Sequence, residues 1–352
     1  MAAISQAIAS NPNLIVMLCS PQTSSPSDSV AVAAPARLHM GFLDLGGNLG
    51  RRFGSIGVGI NEIATRLTIS PASELRAKGL ETERTLKAAR RFGEATGIQC
   101  RTLICVDETI PGHVGLGSGT QLALAVGMGL ARYHGLDLSV RQIASTIERG
   151  ARSGIGIAVF EQGGFIVDGG RGPDTTTPPL ISRLEVPEAW RFILVFDERG
   201  QGLHGSGEIR AFEQLPPFPL SETQRLSHLL LMRALPALAE GDIAGFGDFI
   251  TDLQNTVGDH FAPAQGGRFT SPEVGKAMSY LKDLGAVGIG QSSWGPTGFC
   301  LVDRQERAEA LVSDVRVRFP TLRYLIATAR NTGAEILGTA QALPSQRATA
   351  VN

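Results

Sequence analysis

At 352 residues the chain is long enough for two α+β domains or one large one. A hydrophobic fraction of 43% and a charged fraction of 18% are those of a soluble globular protein. The formal net charge of −1 excludes an overall field that draws nucleic acid or an acidic membrane. Glycine is the outlier, with 43 residues gathered in a few loops.

Cys19, Cys100, Cys105 and Cys300 form no CxxC pair and no metal-ligand spacing, so a reducing, cytoplasmic setting is expected. The apolar run 14–18 is too short to span a membrane and follows no basic segment of the signal-peptide kind. Residues 1–30 read as a flexible leader and 339–352 as a similar tail.

In chain order, structure is expected to begin near Val30 with apolar Ala31 to Ala34. Pro35-Ala36-Arg37-Leu38-His39-Met40 then leads into a glycine-rich turn spanning Gly41 to Gly54. Residues 62–70 alternate with β-branched side chains as a strand does, 81–96 have helical spacing, and 102–106 read as a strand. A helix over 120–134 is apolar nearly all round, so Gly127 and Gly129 within it imply close packing on a sheet. Ser139 and Gln142 form a capping-box pattern for a helix through Glu148, and a second glycine-rich passage follows at 150–172. Further strands are expected at 191–196, 299–302 and 324–327. Further helices are expected at 221–238, opened by a capping box from Ser221 to Gln224, and at 242–257 and 304–315. Ser271 before Pro272 marks the start of another, ending at Leu284. The domains are divided near residue 185, as 31–185 and 186–338.

The segment from Pro111 to Gln121, PGHVGLGSGTQ, lies between a strand and a helix. Gly115, Gly117 and Gly119 at alternate positions let backbone N–H groups turn toward one point, and the following helix N-terminus adds donors and partial positive charge. Ser118 and Thr120 add hydroxyls for phosphate oxygen or a metal ion. No Gly-Lys-Ser/Thr follows, so this is not a Walker loop, and the GxGxG spacing is not a dinucleotide fingerprint. The plain alternative is a tight turn that needs glycine only for its geometry.

This loop resembles the central motif of the GHMP kinases, and the glycine-rich run from Gly288 to Gly298 occupies the place of their C-terminal turn. The resemblance implies an α+β, GHMP-kinase-like fold: an N-terminal α/β domain carrying the phosphate loop and a C-terminal ferredoxin-like α+β domain. Ser153-Gly154-Ile155-Gly156 offers glycine where many of those kinases place an aspartate near the acceptor hydroxyl, which weakens a kinase reading. Pro35-Ala36-Arg37-Leu38-His39, Asp44-Leu45-Gly46-Gly47, Gly50-Arg51, the Gly115–Gln121 loop, Gly205-Ser206-Gly207-Glu208 and Gly290–Thr297 resemble one branch more closely. That branch is the β-ribofuranosylaminobenzene 5′-phosphate synthases. His204 and Trp294 depart from its usual residues.

The branch implies a pentosyltransferase that joins phosphoribosyl pyrophosphate to 4-aminobenzoate or 4-hydroxybenzoate, releasing pyrophosphate and carbon dioxide on the way to tetrahydromethanopterin. An ATP-dependent small-molecule kinase and a non-catalytic ligand-binding homologue are the alternatives. For the transferase, Asp44 and Arg51 are the candidate catalytic pair: Arg51 as a forked anion donor, Asp44 on ribose hydroxyls, on Arg51 or on a proton. Asp44 as a turn former is the bland alternative. Arg37 and His39 alternate on one strand and share a face, with His39 orienting the benzoate or relaying a proton. Glu208 is a loop carboxylate among glycines, and Ser292, Ser293 and Trp294 sit on a loop where the indole could stack on the benzoate or could be plain core. Glu148, with Ser118, falls where GHMP kinases bind magnesium, so Mg2+ is expected. A homodimer is expected, with no nucleic-acid or membrane partner.

Overall fold

The computed structural model describes residues 29–150, 152–200 and 215–338. Strands β1 (Val30–Asp44) and β2 (Phe53–Pro71) form a long antiparallel hairpin at the heart of the first sheet. The sequence reads as a short apolar segment and then a turn from Gly41, but β1 runs on to Asp44. Irregular pairing at Pro35/Ala36 and His39/Gly41 absorbs the proline and the glycine without ending the strand.

β3 (Arg76–Gly79) lies parallel to β4 (Thr102–Glu108), which pairs with the far half of β2; β5 (Phe165–Asp168) pairs with its near half and with β6 (Leu180–Leu184). On this sheet pack α1 (Thr82–Thr96), α2 (Ser118–Tyr133), α3 (Val140–Thr146) and α4 (Ile155–Glu161). Their shared core includes Ile69, Phe92, Leu124 and Ile143. The two glycines of α2 answer to close neighbours: a Cβ on Gly129 would lie 2.7 Å from Ile69 of β2, and one on Gly127 2.5 Å from Ile143 of α3. The Ser139 capping box is present. Helix α4 arises inside the second glycine-rich passage, where burial of Ile155, Ile157, Val159 and Phe160 overrides the low helix propensity of glycine.

The chain then forms β7 (Arg191–Phe196) and, after residue 214, α5 (Leu220–Leu229), a π turn, α6 (Leu235–Glu240) and α7 (Ile243–Gln265). α8 (Pro272–Asp283), β8 (Val287–Gln291), β9 (Gly298–Val302), α9 (Gln305–Arg318) and β10 (Arg323–Ala327) complete a second sheet in the order β10-β7-β9-β8, antiparallel throughout. With α8 and α9 this is the expected ferredoxin-like β-α-β-β-α-β unit. Ser271 caps α8 by accepting from Val274 N–H at 3.2 Å. The capping box expected at Ser221 is not formed: α5 begins one residue earlier, behind Pro219, with no side-chain cap.

One face of the second sheet, with Ile193, Val195 and Cys300, packs on α8 and α9. The other, with Phe192, Leu194 and Phe299, joins Leu38 and Met40 of β1, Ile56 and Val58 of β2 and Phe249 of α7 in a core common to both sheets. The last strand, β11 (Glu335–Gly338), returns to pair with the start of β1, so a division near residue 185 separates the sheets apart from this strand. Among the described residues no helix is long and apolar enough to cross a membrane. The shared core holds the middle of β1 rigidly between the phosphate loop and the loop after β8.

Candidate active site

The glycine-rich loop ends where α2 begins, with Gly117 as its N-cap at φ +84. Only glycine takes that conformation without strain, and a Cβ there would lie 3.2 Å from the Arg37 side chain. One at Gly115 would collide with the Ser292 carbonyl oxygen. Helix geometry leaves the N–H groups of Ser118 and Gly119 without intrahelical acceptors. Arg37 flanks them from β1, its Nη1 donating to Gly115 O at 2.6 Å. Arg84 of α1 flanks them from the other side, its Nη2 placed 2.8 Å from where a Gly119 Cβ would stand. Two guanidiniums thus border the positive end of a helix, an arrangement suited to an anion.

The loop after β8 is laced onto this cradle. Ser292 is fully buried; its hydroxyl donates to Gly115 O at 2.7 Å and accepts from His39 N–H at 3.0 Å. Thr297 donates to Val114 O at 2.7 Å, and Ser293 N–H to His39 O at 3.1 Å. Ser292 therefore works as a lock between loops, its hydroxyl already engaged.

Two residues along β1 from Arg37, His39 lines a crevice with Phe42, Phe261, Trp294 and Arg268. The indole of Trp294 is buried, 4.5 Å between centroids from Phe261, so it is a wall of the core rather than an exposed loop aromatic. Arg268 is held bidentately by Asp259. His39 is only 4% exposed and its Nε2 has no hydrogen-bond partner among the described residues. Burial, and then the Arg37 charge, hold its pKa down to about 3, against a smaller opposing backbone bond. The imidazole is neutral at physiological pH.

Asp44 and Arg51 stand at either side of the β1–β2 turn and are not paired with each other. Asp44 Oδ1 accepts from Gly46 N–H and Gly47 N–H, both at 2.8 Å, as an Asx turn does. Arg51 donates from Nε to Gly169 O and from Nη2 to Gly170 O, both at 2.9 Å. Those carbonyls follow Asp168, whose buried carboxylate accepts from Ser55 Oγ, from Gly154 N–H at 2.9 Å and from Gly170 N–H at 2.8 Å. Burial pushes the Asp168 pKa up, while these donors pull it down.

The model of the GHMP kinases N terminal domain matches residues 83–164, and that of the GHMP kinases C terminal domain matches 234–321. A β-ribofuranosylphenol 5′-phosphate synthase of Methanothermobacter thermautotrophicus is 32% identical over 325 residues, covering 86% of this chain and 97% of its own. The synthase of that name from Archaeoglobus fulgidus is 33% identical, covering 86% and 97%. The chain belongs to the β-ribofuranosylphenol 5′-phosphate synthase family. A homoserine kinase from Cytophaga hutchinsonii, 18% identical, superposes with a TM-score of 0.63 over 89% of this chain and 99% of that one, which shows the shared GHMP fold.

Within this family member the structure gathers Arg37, Gly115, Gly117, Ser118 and Gly119 at one cradle, and His39, Ser293 and Trp294 at the adjoining crevice. The Thr120 methyl lies against α4, 3.1 Å from where a Gly156 Cβ would stand. Glu148 does not join Ser118: its carboxylate is 74% exposed and ion-paired with Arg91 at 3.0 Å. Among the described residues no three or more His, Cys, Asp or Glu side chains stand together as a metal-ligand group. Glu208 lies outside the described residues. Sequence reasoning passed over Arg84 and Asp168. Arg84 sits on a charged helix face that reads as solvated, and Asp168 ends a strand hidden in the glycine-rich passage.

Proposed function

We propose that the chain transfers the 5-phosphoribosyl group of phosphoribosyl pyrophosphate to 4-hydroxybenzoate, giving β-ribofuranosylphenol 5′-phosphate, pyrophosphate and carbon dioxide. The observation that carries this reading is the pairing of family membership with an anion cradle and an aromatic crevice on adjacent, same-face residues of β1, Arg37 and His39. The relatives' product is a phenol, which favours the hydroxy acid over 4-aminobenzoate. The anomeric C–O bond breaks with its electron pair leaving on pyrophosphate. The ring carbon bearing the carboxylate forms the new C–C bond. Loss of carbon dioxide returns its bonding pair to the ring, so no external oxidant or base is required.

The residues divide this work between binding and orientation. The N–H groups of Ser118 and Gly119, with Arg37, receive charge that develops on the leaving group. Neutral His39 offers Nε2 to the para hydroxyl, and Phe42 and Trp294 present apolar faces to the ring. The crevice measures about 30 Å³, room for a water but not a ring, so acceptor binding requires the side chains that wall it to part. Magnesium, where it takes part, is proposed to arrive as a complex of the donor. A cytoplasmic homodimer is the proposed working form, to be checked by light scattering.

The test is purified protein with phosphoribosyl pyrophosphate and carboxyl-labelled 4-hydroxybenzoate or 4-aminobenzoate. Labelled carbon dioxide matched mole for mole by pyrophosphate is expected, faster with the hydroxy acid. ADP formed from ATP, with no carbon dioxide from either acid, would transfer the chain to the kinase reading.

A further inference from the structure

We propose that the open cleft bordered by α1, the start of α2 and residues 147–149 is a pyrophosphate subsite, continuous with the glycine cradle. The donor's name rests on the phosphoribosyl-transfer reading; the chemistry of the cavity does not. The cavity measures about 270 Å³. Arg84, Lys87 and Arg91 line it from α1, Arg149 from the opposite side, and Gly119 and Leu122 from α2. The α1 residues stand at i, i+3 and i+7, the spacing that puts side chains on one helix face.

A basic helix face is ordinarily a solvated surface with acidic residues interspersed. This one is not balanced. Glu81 pairs with Arg84 at 3.3 Å and Glu148 with Arg91 at 3.0 Å. Among the described residues Lys87 and Arg149 form no ion pair with a carboxylate, Glu148 acting on Arg149 only more weakly through space, which leaves a local excess of positive charge in a chain whose net charge is −1. Arg149 is still reached by solvent, yet partial burial and then the charges of Arg84 and Arg91 press its pKa below the ordinary value.

The placement of Arg84 is the second argument. Its guanidinium borders Gly119, in the first turn of α2, where the helix end is itself positive. Glu81 offsets part of that guanidinium's charge, and an anion between Arg84 and the helix end would offset the rest. Gly119 lines both cradle and cavity, so one extended anion can span the two.

The identity of that anion follows from size and walls. The cleft, about 270 Å³ and open to solvent, leaves room for more than a single phosphate. The lining holds no aromatic side chain to face a nucleobase. A single phosphate can meet either the helix end or the Lys87 and Arg149 side of the cleft, whereas a pyrophosphate has a second phosphoryl group with which to reach both. In catalysis the cavity would place protein charge around the departing group.

Calorimetric titration of sodium pyrophosphate and of ribose 5-phosphate into wild type, Arg149→Ala, Lys87→Ala and Arg149→Lys decides the matter, with thermal midpoints recorded to verify folding. Loss of a charge-assisted hydrogen bond should raise the pyrophosphate Kd about tenfold or more in each alanine variant. Arg149→Lys should recover part of that loss, and ribose 5-phosphate should bind all four proteins alike. The proposal is overturned by a pyrophosphate Kd within about twofold of wild type in both alanine variants. It is equally overturned if ribose 5-phosphate is the ligand that weakens, or if a non-hydrolysable ATP analogue outcompetes pyrophosphate and shows the same losses. The titration needs neither acceptor nor turnover, so failure to release carbon dioxide would sink the reaction and leave the subsite standing.

Discussion

Two glycine-rich segments of the first sheet carry charged neighbours and use them in opposite ways. At the phosphate loop the backbone donors of Ser118 and Gly119 have no intrahelical acceptors, and the flanking charges, Arg37 and Arg84, come from other elements. At the β1–β2 turn the local charges are spent on backbone: Asp44 on the N–H groups of Gly46 and Gly47, Arg51 on the carbonyls of Gly169 and Gly170. Glycine with charge is therefore not in itself a ligand signature. What differs is whether backbone polar groups are left to meet a partner from outside the fold.

The comparison breaks most visibly at Gly117. Gly117→Ala puts a side chain at φ +84 beside Arg37, straining the cap and filling the cradle. Turnover should fall by about 10²–10³-fold, as when a preorganised oxyanion donor is removed. Near-wild-type kinetics in a folded variant would remove the loop from the reaction.

His39 lies on β1 between the two regions and supplies a smaller, pH-dependent effect. Its folded pKa of about 3 lies below the ordinary 6.5, so the unfolded chain takes up the proton first. The stability of the neutral ring is complete above pH 6.5 and is lost as pH falls toward 3. Denaturant titration should show wild type about 2 kcal/mol less stable at pH 5 than at pH 7 from this residue, a difference that His39→Phe abolishes. An unchanged pH dependence in the variant would mean that His39 is protonated in the native state.

The turn gives the smallest change. Asp44→Ala and Arg51→Ala should each cost about 1–2 kcal/mol of stability by leaving backbone groups without side-chain partners. The two have no common partner, so the double variant should be additive within about 0.5 kcal/mol. The same three proteins, assayed for turnover, test the catalytic pairing that the sequence puts forward: strongly non-additive rate losses would mean that substrate draws Arg51 off its carbonyls and joins it to Asp44.

What could be read in the sequence was local. The cradle is legible because strand, glycines and helix are contiguous, and the ferredoxin-like half because its strands and the Ser271 cap follow short-range patterns. The course of β1 through Gly41 was not, since pairing with β2 holds it and nothing nearby in sequence shows this. The same limit hid Arg84, Lys87 and Arg91. Their i, i+3, i+7 spacing announces a basic stripe, but only the packing of α1 beside α2 turns that stripe toward Gly119. Asp168 meets Ser55 and Gly154 across two elements, so no spacing could have joined them. Nor could spacing foretell that the exposed Glu148 carboxylate is ion-paired with Arg91.

The pairing of β11 with β1 has a mechanical side. Val30 stands opposite Gly338 and Ala33 opposite Glu335, so the antiparallel pair opens at one end, where the residues most distant in the described chain are neighbours. Tension applied between residues 30 and 338 would load those hydrogen bonds one after another, as a zipper is loaded, rather than all together. An optical trap should see this edge peel first and at low force, while the phosphate loop, held from Arg37 and Ser292, is still intact.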